Sequence, residues 1–175
     1  MGILKKNNVV VRGTGDHVMM FAHGFGCDQN MWRHVYPSFQ ENYKTVLFDH
    51  VGAGNSDLSA YSFDKYDRLE GYAEDIVAIA KELKISDVVF VGHSVSAIMG
   101  LIAAKMAPEI FKTLILVAPS PSYINQEDYI GGFSHSEIDE LLASLNNNHF
   151  RLVNGNGPCH HGQSGQKGTW SGTRE

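Results

Sequence analysis

A serine at the junction of a strand and a helix is the residue of this sequence best placed to do chemistry. Strand-forming apolar residues occupy positions 88–91, Gly92 follows, and Ser94 comes directly before a helix-forming stretch. Such a junction lifts a serine hydroxyl above the ends of a parallel sheet, where it can act as a nucleophile. The backbone N–H of Val95, at the start of the helix, can then stabilise an oxyanion. An ordinary strand-to-helix turn that carries a solvated serine is the alternative interpretation.

The small residues around this serine depart from the usual pattern. The motif from Gly92 to Ser96 reads G-x-S-x-S, with Ser96 where a second glycine is usual. Glycines in such a motif let the backbone make a sharp turn. Because serine is also small, the same turn remains available, and the hypothesis that Ser94 is a nucleophile stands.

A glycine-flanked loop follows an earlier apolar run. Residues 18–22 are all apolar, as expected of a strand covered on both faces, and His23-Gly24-Phe25-Gly26 comes next. Loops of this kind can expose backbone N–H groups to a ligand. Because parallel strands end at the same edge of a sheet, this loop and Ser94 should share one rim. A plain turn at a strand end is the alternative.

The chain alternates between apolar runs and amphipathic segments. Buried strands are predicted where the apolar runs lie, at 18–22, 44–49, 88–91 and 114–118. Spacings of four, three and four residues predict one buried face of a helix, formed by Tyr72, Ile76, Ile79 and Leu83. This alternation predicts an α/β fold with an open, doubly wound, mostly parallel sheet and helices on both faces.

Three connections carry weaker signals. Residues 29–39 predict a helical connection, and the glycines of loop 50–57 indicate a structural turn, since a phosphate-binding loop would have a third glycine and a following helix. Ser134 and Glu137 form a capping box for a helix that ends near Leu145, where a lid over the site would begin. His135, in that box, is interpreted as a surface residue and not as a base.

The composition indicates one cytoplasmic domain. The 175 residues suffice for a sizeable core, and a net charge of −5 without a basic stripe argues against nucleic acid as a partner. Apolar runs are too short for a membrane span or a signal peptide. Cys27 and Cys159 form no disulfide framework, and His160-His161 lack a second ligand pair, so neither metal nor cofactor is expected.

Four motifs together resemble α/β-hydrolases of the RsbQ type. They lie at residues 21–32, 49–57, 92–97 and 129–133, and the resemblance covers residues 1 to about 150. It implies an α/β-hydrolase fold with Ser94 as nucleophile and the backbone N–H groups of Phe25 and Val95 as oxyanion hole. Ser96 matches a variant that occurs in this family. The lid would begin at about residue 122 and cover a small hydrophobic ligand or ester.

The same resemblance implies a role in signalling. RsbQ is a positive regulator of the bacterial general-stress sigma factor and works with a partner phosphatase, and plant strigolactone and karrikin receptors are its relatives. A binding module that senses a ligand, with turnover unimportant, is therefore an alternative to a hydrolase. A non-functional fragment of either is a third possibility.

The chain departs from the family after residue 150. The family has a triad Asp and His on later strands, which are missing here, so Ser94 would lack a base and turnover would fall by ~10⁴-fold or more. Residues 151–175 are rich in glycine and serine and indicate loop or disorder. Back-translated with permitted codons and read one base out of frame, the chain from Phe150 onward can yield FGWSTAMAPVIMGNPDRKELGAELE, which is similar to the family's continuing lid. We therefore expect a frameshift near His149.

Overall fold

The computed structural model describes residues 2–147 of the chain. Within this range the strands are β1 (Val10–Arg12), β2 (His17–Ala22), β3 (Tyr43–Leu47), β4 (Val88–His93) and β5 (Phe111–Val117). The α-helices are α1 (Ile3–Lys6), α2 (Phe63–Tyr66), α3 (Leu69–Glu82), α4 (Val95–Met106) and α5 (His135–Asn147). Short 3-10 helices span Gln29–Trp32, Tyr36–Phe39 and Leu58–Ala60. The tail at 151–175, with Cys159 and His160-His161, lies outside the described residues.

The strands form one sheet in the order β1-β3-β2-β4-β5. β1 runs antiparallel to β3, whereas the other neighbouring strands are parallel, which confirms the predicted mostly parallel sheet. β2 and β4 pair as far as Ala22 and Gly92, and β4 and β5 pair as far as His93 and Val117. The loops that follow these three strands therefore leave the sheet side by side, at its carboxyl edge.

Helices α3 and α4 cover one face of the sheet. Ile76 and Ile79 of α3 are fully buried against a core that includes Phe48 and Phe90, on the helix face that the sequence spacing predicts. Burial of each such side chain stabilises the fold by about 1.5–3 kcal/mol. A Cβ atom on Gly100 of α4 would clash with the ring of Phe90. Small residues on α4 therefore let this helix lie directly on β4.

The opposite face is covered by the two 3-10 helices between β2 and β3. Trp32 and Phe39 from these segments pack against the ring of Phe21. The sequence predicted a helical connection over 29–39, and the structure forms it as two 3-10 segments instead of one continuous helix. Pro37 lies in the first turn of the second segment, where it is tolerated, but it lacks the N–H that a continuous helix needs at that point.

Strand β5 lies at one edge of the sheet and carries part of its apolar surface in solvent. Ile115 is 43% exposed and Val117 is 39% exposed.

The predicted capping box is confirmed at the start of α5, where Glu137 Oε2 accepts from the Ser134 backbone N–H at 2.7 Å and the Glu137 N–H donates back to Ser134 Oγ. His135 is the first residue of that helix. Between residues 2 and 147 no helix is long and apolar enough to cross a membrane.

Candidate functional site

Ser94 has the backbone conformation of a residue on a sharp bend. Its φ is 55° and its ψ is −122°, in a region that residues other than glycine rarely adopt. Its N–H donates to the Val117 carbonyl at 2.9 Å, and its carbonyl accepts from the Ala97 N–H at 3.0 Å. These two hydrogen bonds hold the bend between β4 and α4 in place, the first by joining it to β5 and the second by closing the first turn of α4. Backbone strain of this kind is concentrated at functional sites.

The Ser94 hydroxyl faces the segment that precedes α5. Its Oγ lies 3.0 Å from the hydroxyl of Tyr123. In the part of the chain that the structure describes, this side chain makes no capping hydrogen bond to α4. The hydroxyl is therefore held in the space above the sheet edge, and the N–H of Val95, the first residue of α4, has no carbonyl partner within its own helix.

The glycine-flanked loop after β2 packs directly against this serine. A Cβ atom on Gly24 would lie 3.3 Å from the Cβ of Ser94 and would overlap Nδ1 of His93. Phe25 and Gly26 form the centre of a turn that is closed by a bond from the Cys27 N–H to the Gly24 carbonyl. The Phe25 side chain is 75% exposed. The structure thus brings together the loop and the serine that sequence reasoning placed on one rim.

A buried hydrogen-bonded network lies beneath the loop and the bend. The Ser96 hydroxyl, in the first turn of α4, donates to the carbonyl of His23 and lies 2.7 Å from Nε2 of His50. The His50 backbone N–H donates to Nε2 of His23 at 3.1 Å, and Nδ1 of His23 lies 2.9 Å from the Gly24 carbonyl. Ser96 is fully buried. Sequence reasoning noted Ser96 only as a small residue and missed this network.

Burial disfavours the charged form of both histidines of the network. Burial lowers the pKa of His50 to about 3, and the neighbouring His23 contributes to the same shift. Burial also lowers the pKa of His23, although its bond to the Gly24 carbonyl and the nearby Asp49 oppose the shift. A neutral imidazole has one donor nitrogen and one acceptor nitrogen, and each ring here is already engaged through Nε2. Among the described residues the partner of the Ser94 hydroxyl is Tyr123 and not a histidine.

Asp49 organises the glycine-containing loop that follows β3. Its carboxylate is almost fully buried and accepts from Nδ2 of Asn8 at 2.7 Å, from the Gln29 N–H at 2.8 Å and from the Asn55 N–H at 2.9 Å. A Cβ atom on Gly54 would lie 2.5 Å from a carboxylate oxygen of Asp49. The glycines of this loop make room for a carboxylate of the chain itself. This role of the glycines agrees with the structural turn that the sequence indicated for loop 50–57.

A polar cleft of about 260 Å³ lies apart from this site. Its lining includes Asn8 and Arg12, at and just before β1, and Arg33 and Tyr36 from the segment after β2. Ser94 is not part of the lining and therefore lies outside this cleft.

Comparison with known proteins places the chain in a family. Residues 17–152 match the family described as alpha/beta hydrolase fold. Karrikin insensitive 2 receptor CA of Petunia hybrida is 40% identical over 159 residues, which cover 90% of this chain and 59% of that receptor. Strigolactone esterase D14 of Arabidopsis thaliana is 42% identical over 156 residues, covering 89% of this chain and 58% of that esterase.

A solved structure shares the same fold at similar identity. A hydrolase from Oleispira antarctica superposes with a TM-score of 0.82 at 38% identity, over 87% of this chain and 56% of that chain. The chain therefore spans slightly under three fifths of the length of these three proteins. The family match covers well over half of the 175 residues, and the sheet, the bend at Ser94 and the adjoining glycine loop agree with it. This chain belongs to the α/β-hydrolase family.

Proposed function

We propose that this protein is a serine hydrolase of the RsbQ type that binds and slowly hydrolyses a small hydrophobic ester. In this proposal Ser94 is the nucleophile, and the backbone N–H groups of Phe25 and Val95 form the oxyanion hole. The observation that carries the proposal is the strained, left-handed backbone of Ser94 in contact with Gly24 of the neighbouring loop.

The proposed reaction uses the hydroxyl and the two N–H groups. Ser94 Oγ attacks the carbonyl carbon of the ester, and the carbonyl oxygen becomes an oxyanion that the N–H groups stabilise. When the tetrahedral intermediate collapses, the leaving alkoxide takes up the proton that the Ser94 hydroxyl has lost and departs as the alcohol. An acyl-serine remains, which water hydrolyses to the acid and free Ser94. Within residues 2–147 the hydroxyl contacts Tyr123 and not a histidine base. Turnover is therefore expected to be ~10⁴-fold or more below that of a complete triad.

The ligand class follows from the relatives and from the surface above Ser94. One relative is named a karrikin insensitive 2 receptor and another a strigolactone esterase, which supports a small ligand for this chain. Apolar side chains lie exposed near the sheet edge and in the segment from about residue 122, among them Phe25, Tyr129, Ile130 and Phe133. We propose that this segment and α5 begin a lid, beneath which a hydrophobic ester reaches Ser94.

Covalent labelling of the serine tests the proposed nucleophile. Purified protein is incubated with a fluorophosphonate probe and separately with p-nitrophenyl acetate, and the labelled peptide is mapped by mass spectrometry. Slow, stoichiometric labelling of Ser94 is expected, with loss of labelling in Ser94→Ala and no change in Ser38→Ala, which removes an exposed hydroxyl. Equal labelling or ester hydrolysis by Ser94→Ala would contradict the proposal.

A non-catalytic signalling module is the second candidate function. The contact between the Ser94 hydroxyl and Tyr123 favours it, because a hydroxyl held by a neutral phenol is not activated. In this alternative the chain senses a ligand and engages a phosphatase in the general-stress sigma-factor pathway. Capture of that phosphatase by the Ser94→Ala protein, as strongly as by the wild-type protein, would favour this candidate over the hydrolase.

A further inference from the structure

The orientation of the Phe25 N–H is set by the carbonyl of Gly24. A peptide group is planar, so the Gly24 carbonyl and the Phe25 N–H share one plane and turn together. Nδ1 of His23 lies 2.9 Å from that carbonyl. Because Nε2 of His23 accepts from the His50 backbone N–H, Nδ1 is the nitrogen that carries the proton and donates to Gly24. His23, together with the Cys27 N–H that donates to the same carbonyl, therefore orients the plane of the candidate oxyanion donor.

The Ser96 hydroxyl fixes the position of His23, the residue that orients the Gly24–Phe25 peptide plane. It has one proton, which it donates to the His23 carbonyl, since a carbonyl can only accept. The 2.7 Å contact between Ser96 Oγ and His50 Nε2 must then be a bond that His50 donates. In agreement, Nδ1 of His50 is buried without a partner in the described part of the chain, as a bare lone pair would be.

We propose that Ser96 is a positioning residue of the oxyanion hole, which couples His50 to the His23 carbonyl and thereby aims the Phe25 N–H at the reacting oxygen. This inference rests on the proposed hydrolase function. Glycine, the usual residue at this position, has no hydroxyl, so the G-x-S-x-S form supplies a bond that the usual motif lacks. Loss of the hydroxyl leaves a buried N–H of His50 and a buried carbonyl of His23 without partners.

The tautomer of His50 in the wild-type protein gives a test that needs no variant. Long-range proton–nitrogen spectra of the full chain with ¹⁵N-labelled histidine distinguish a protonated ring nitrogen from a bare one. We expect His50 to carry its proton on Nε2 and His23 on Nδ1. A proton on Nδ1 of His50 would overturn the proposal, because Ser96 would then have to donate to His50 and could not donate to His23.

Substitution of Ser96 tests the consequence for catalysis. Ser96→Ala should shift the Phe25 amide resonance and lower kcat for p-nitrophenyl acetate by at least about 10-fold, since loss of a whole oxyanion donor lowers it by about 10²–10³-fold. KM should change less than about 2-fold, because the bond to the oxyanion forms in the transition state. Ser96→Thr retains the hydroxyl and should restore both readouts, and Ser38→Ala is the matched control.

The outcomes separate this inference from the function on which it rests. If Ser94→Ala hydrolyses the ester as fast as wild type, the proposed nucleophile is wrong, while the histidine spectra still decide the role of Ser96. An unchanged Phe25 resonance together with an unchanged kcat in a folded Ser96→Ala protein would overturn the positioning role. If Ser96→Ala does not fold, the tautomer of His50 in the wild-type protein and the kcat of Ser96→Thr decide between the two outcomes.

Discussion

Gly24 packs against the bend at Ser94 with no room for a side chain. Alanine at this position would push against the ring of His93 and the Cβ of Ser94. We predict that Gly24→Ala lowers the free energy of unfolding by about 1–3 kcal/mol through overpacking. Labelling of Ser94 by a fluorophosphonate should slow by about 10²-fold, because a displacement near 1 Å is enough for such a loss.

Gly2→Ala is the matched control for that substitution. A Cβ atom on Gly2 meets nothing within 4 Å, so both stability and labelling should stay at the wild-type values. Denaturant titration and timed labelling measure the two effects. A Gly24→Ala protein that labels at the wild-type rate would show that the loop does not need its present distance from Ser94.

The buried histidines predict a loss of stability in mild acid. The pKa of His50 is about 3 in the folded chain but 6.5 when unfolded, so the unfolded state binds the extra proton. The stabilising contribution is complete above pH 6.5 and is lost as the pH falls from there toward 3. At pH 5 the loss from His50 alone is about 2 kcal/mol, and His23, whose pKa is also lowered, adds to it.

Urea titrations at pH 7.5 and pH 5.0 measure this dependence. His50→Gln should flatten the difference between the two pH values, whereas His34→Gln, at an exposed position, should leave it unchanged. A wild-type stability that is the same at both pH values would contradict the neutral, buried state of His50.

At the scale of elements, one carboxylate joins three helices. Asp75 of α3 is almost fully buried and accepts from Lys6 of α1 at 2.7 Å, from Lys65 of α2 at 2.8 Å and from the Tyr66 hydroxyl of α2 at 2.8 Å. Burial, followed by the bond to Asp75, raises the pKa of Tyr66. Helices α1 and α2 have four residues each, which is too short for stability of their own, so they depend on this carboxylate.

We predict that Asp75→Asn lowers the free energy of unfolding by about 1–3 kcal/mol, because it leaves the Lys6 ammonium partly buried without its counter-charge. Glu74→Gln is the matched control. Glu74 is exposed and lies 3.7 Å from Lys65, so its loss should change stability by less than about 0.5 kcal/mol. Urea titration of the two variants distinguishes them, and equal effects would contradict a special role for Asp75.

The elements that the sequence predicted correctly are those whose pattern involves residues close together in the chain. The apolar runs, the spacing on α3 and the Ser134–Glu137 box involve neighbours along the chain, and the structure contains all of them. The role of Ser96 depends on residues 46 and 73 positions away, and the role of Asp75 on Lys6 at 69 positions. The spacing of apolar residues along the sequence does not indicate which distant residues will contact each other. The one available signal for Ser96 was its departure from glycine.

At the scale of the whole molecule, the chain leaves apolar surface at the edge of its sheet. Between residues 2 and 147, Ile115 and Val117 of β5 are about two-fifths exposed, and Leu141 and Leu142 of α5 are about half exposed. Exposed strand edges and apolar patches promote association. In light scattering after gel filtration, we predict that this chain is aggregated at micromolar concentration, and a stable monodisperse monomer would contradict this.

The composition of residues 151–175 and the apolar edge have one explanation in common. We propose that the reading frame changes near His149, so that the gene encodes the family's continuing lid one base out of frame. Nucleotide sequencing of codons 149–175 should then give codons that read FGWSTAMAPVIMGNPDRKELGAELE, or a near variant, in the neighbouring frame. A gene rebuilt in that frame should yield a protein that aggregates less, because the restored lid sequence would cover part of the exposed apolar surface of α5. If the codons cannot encode a lid in either of the other two reading frames, the frameshift explanation is wrong. Aggregation of this chain would then be a property of its own sequence.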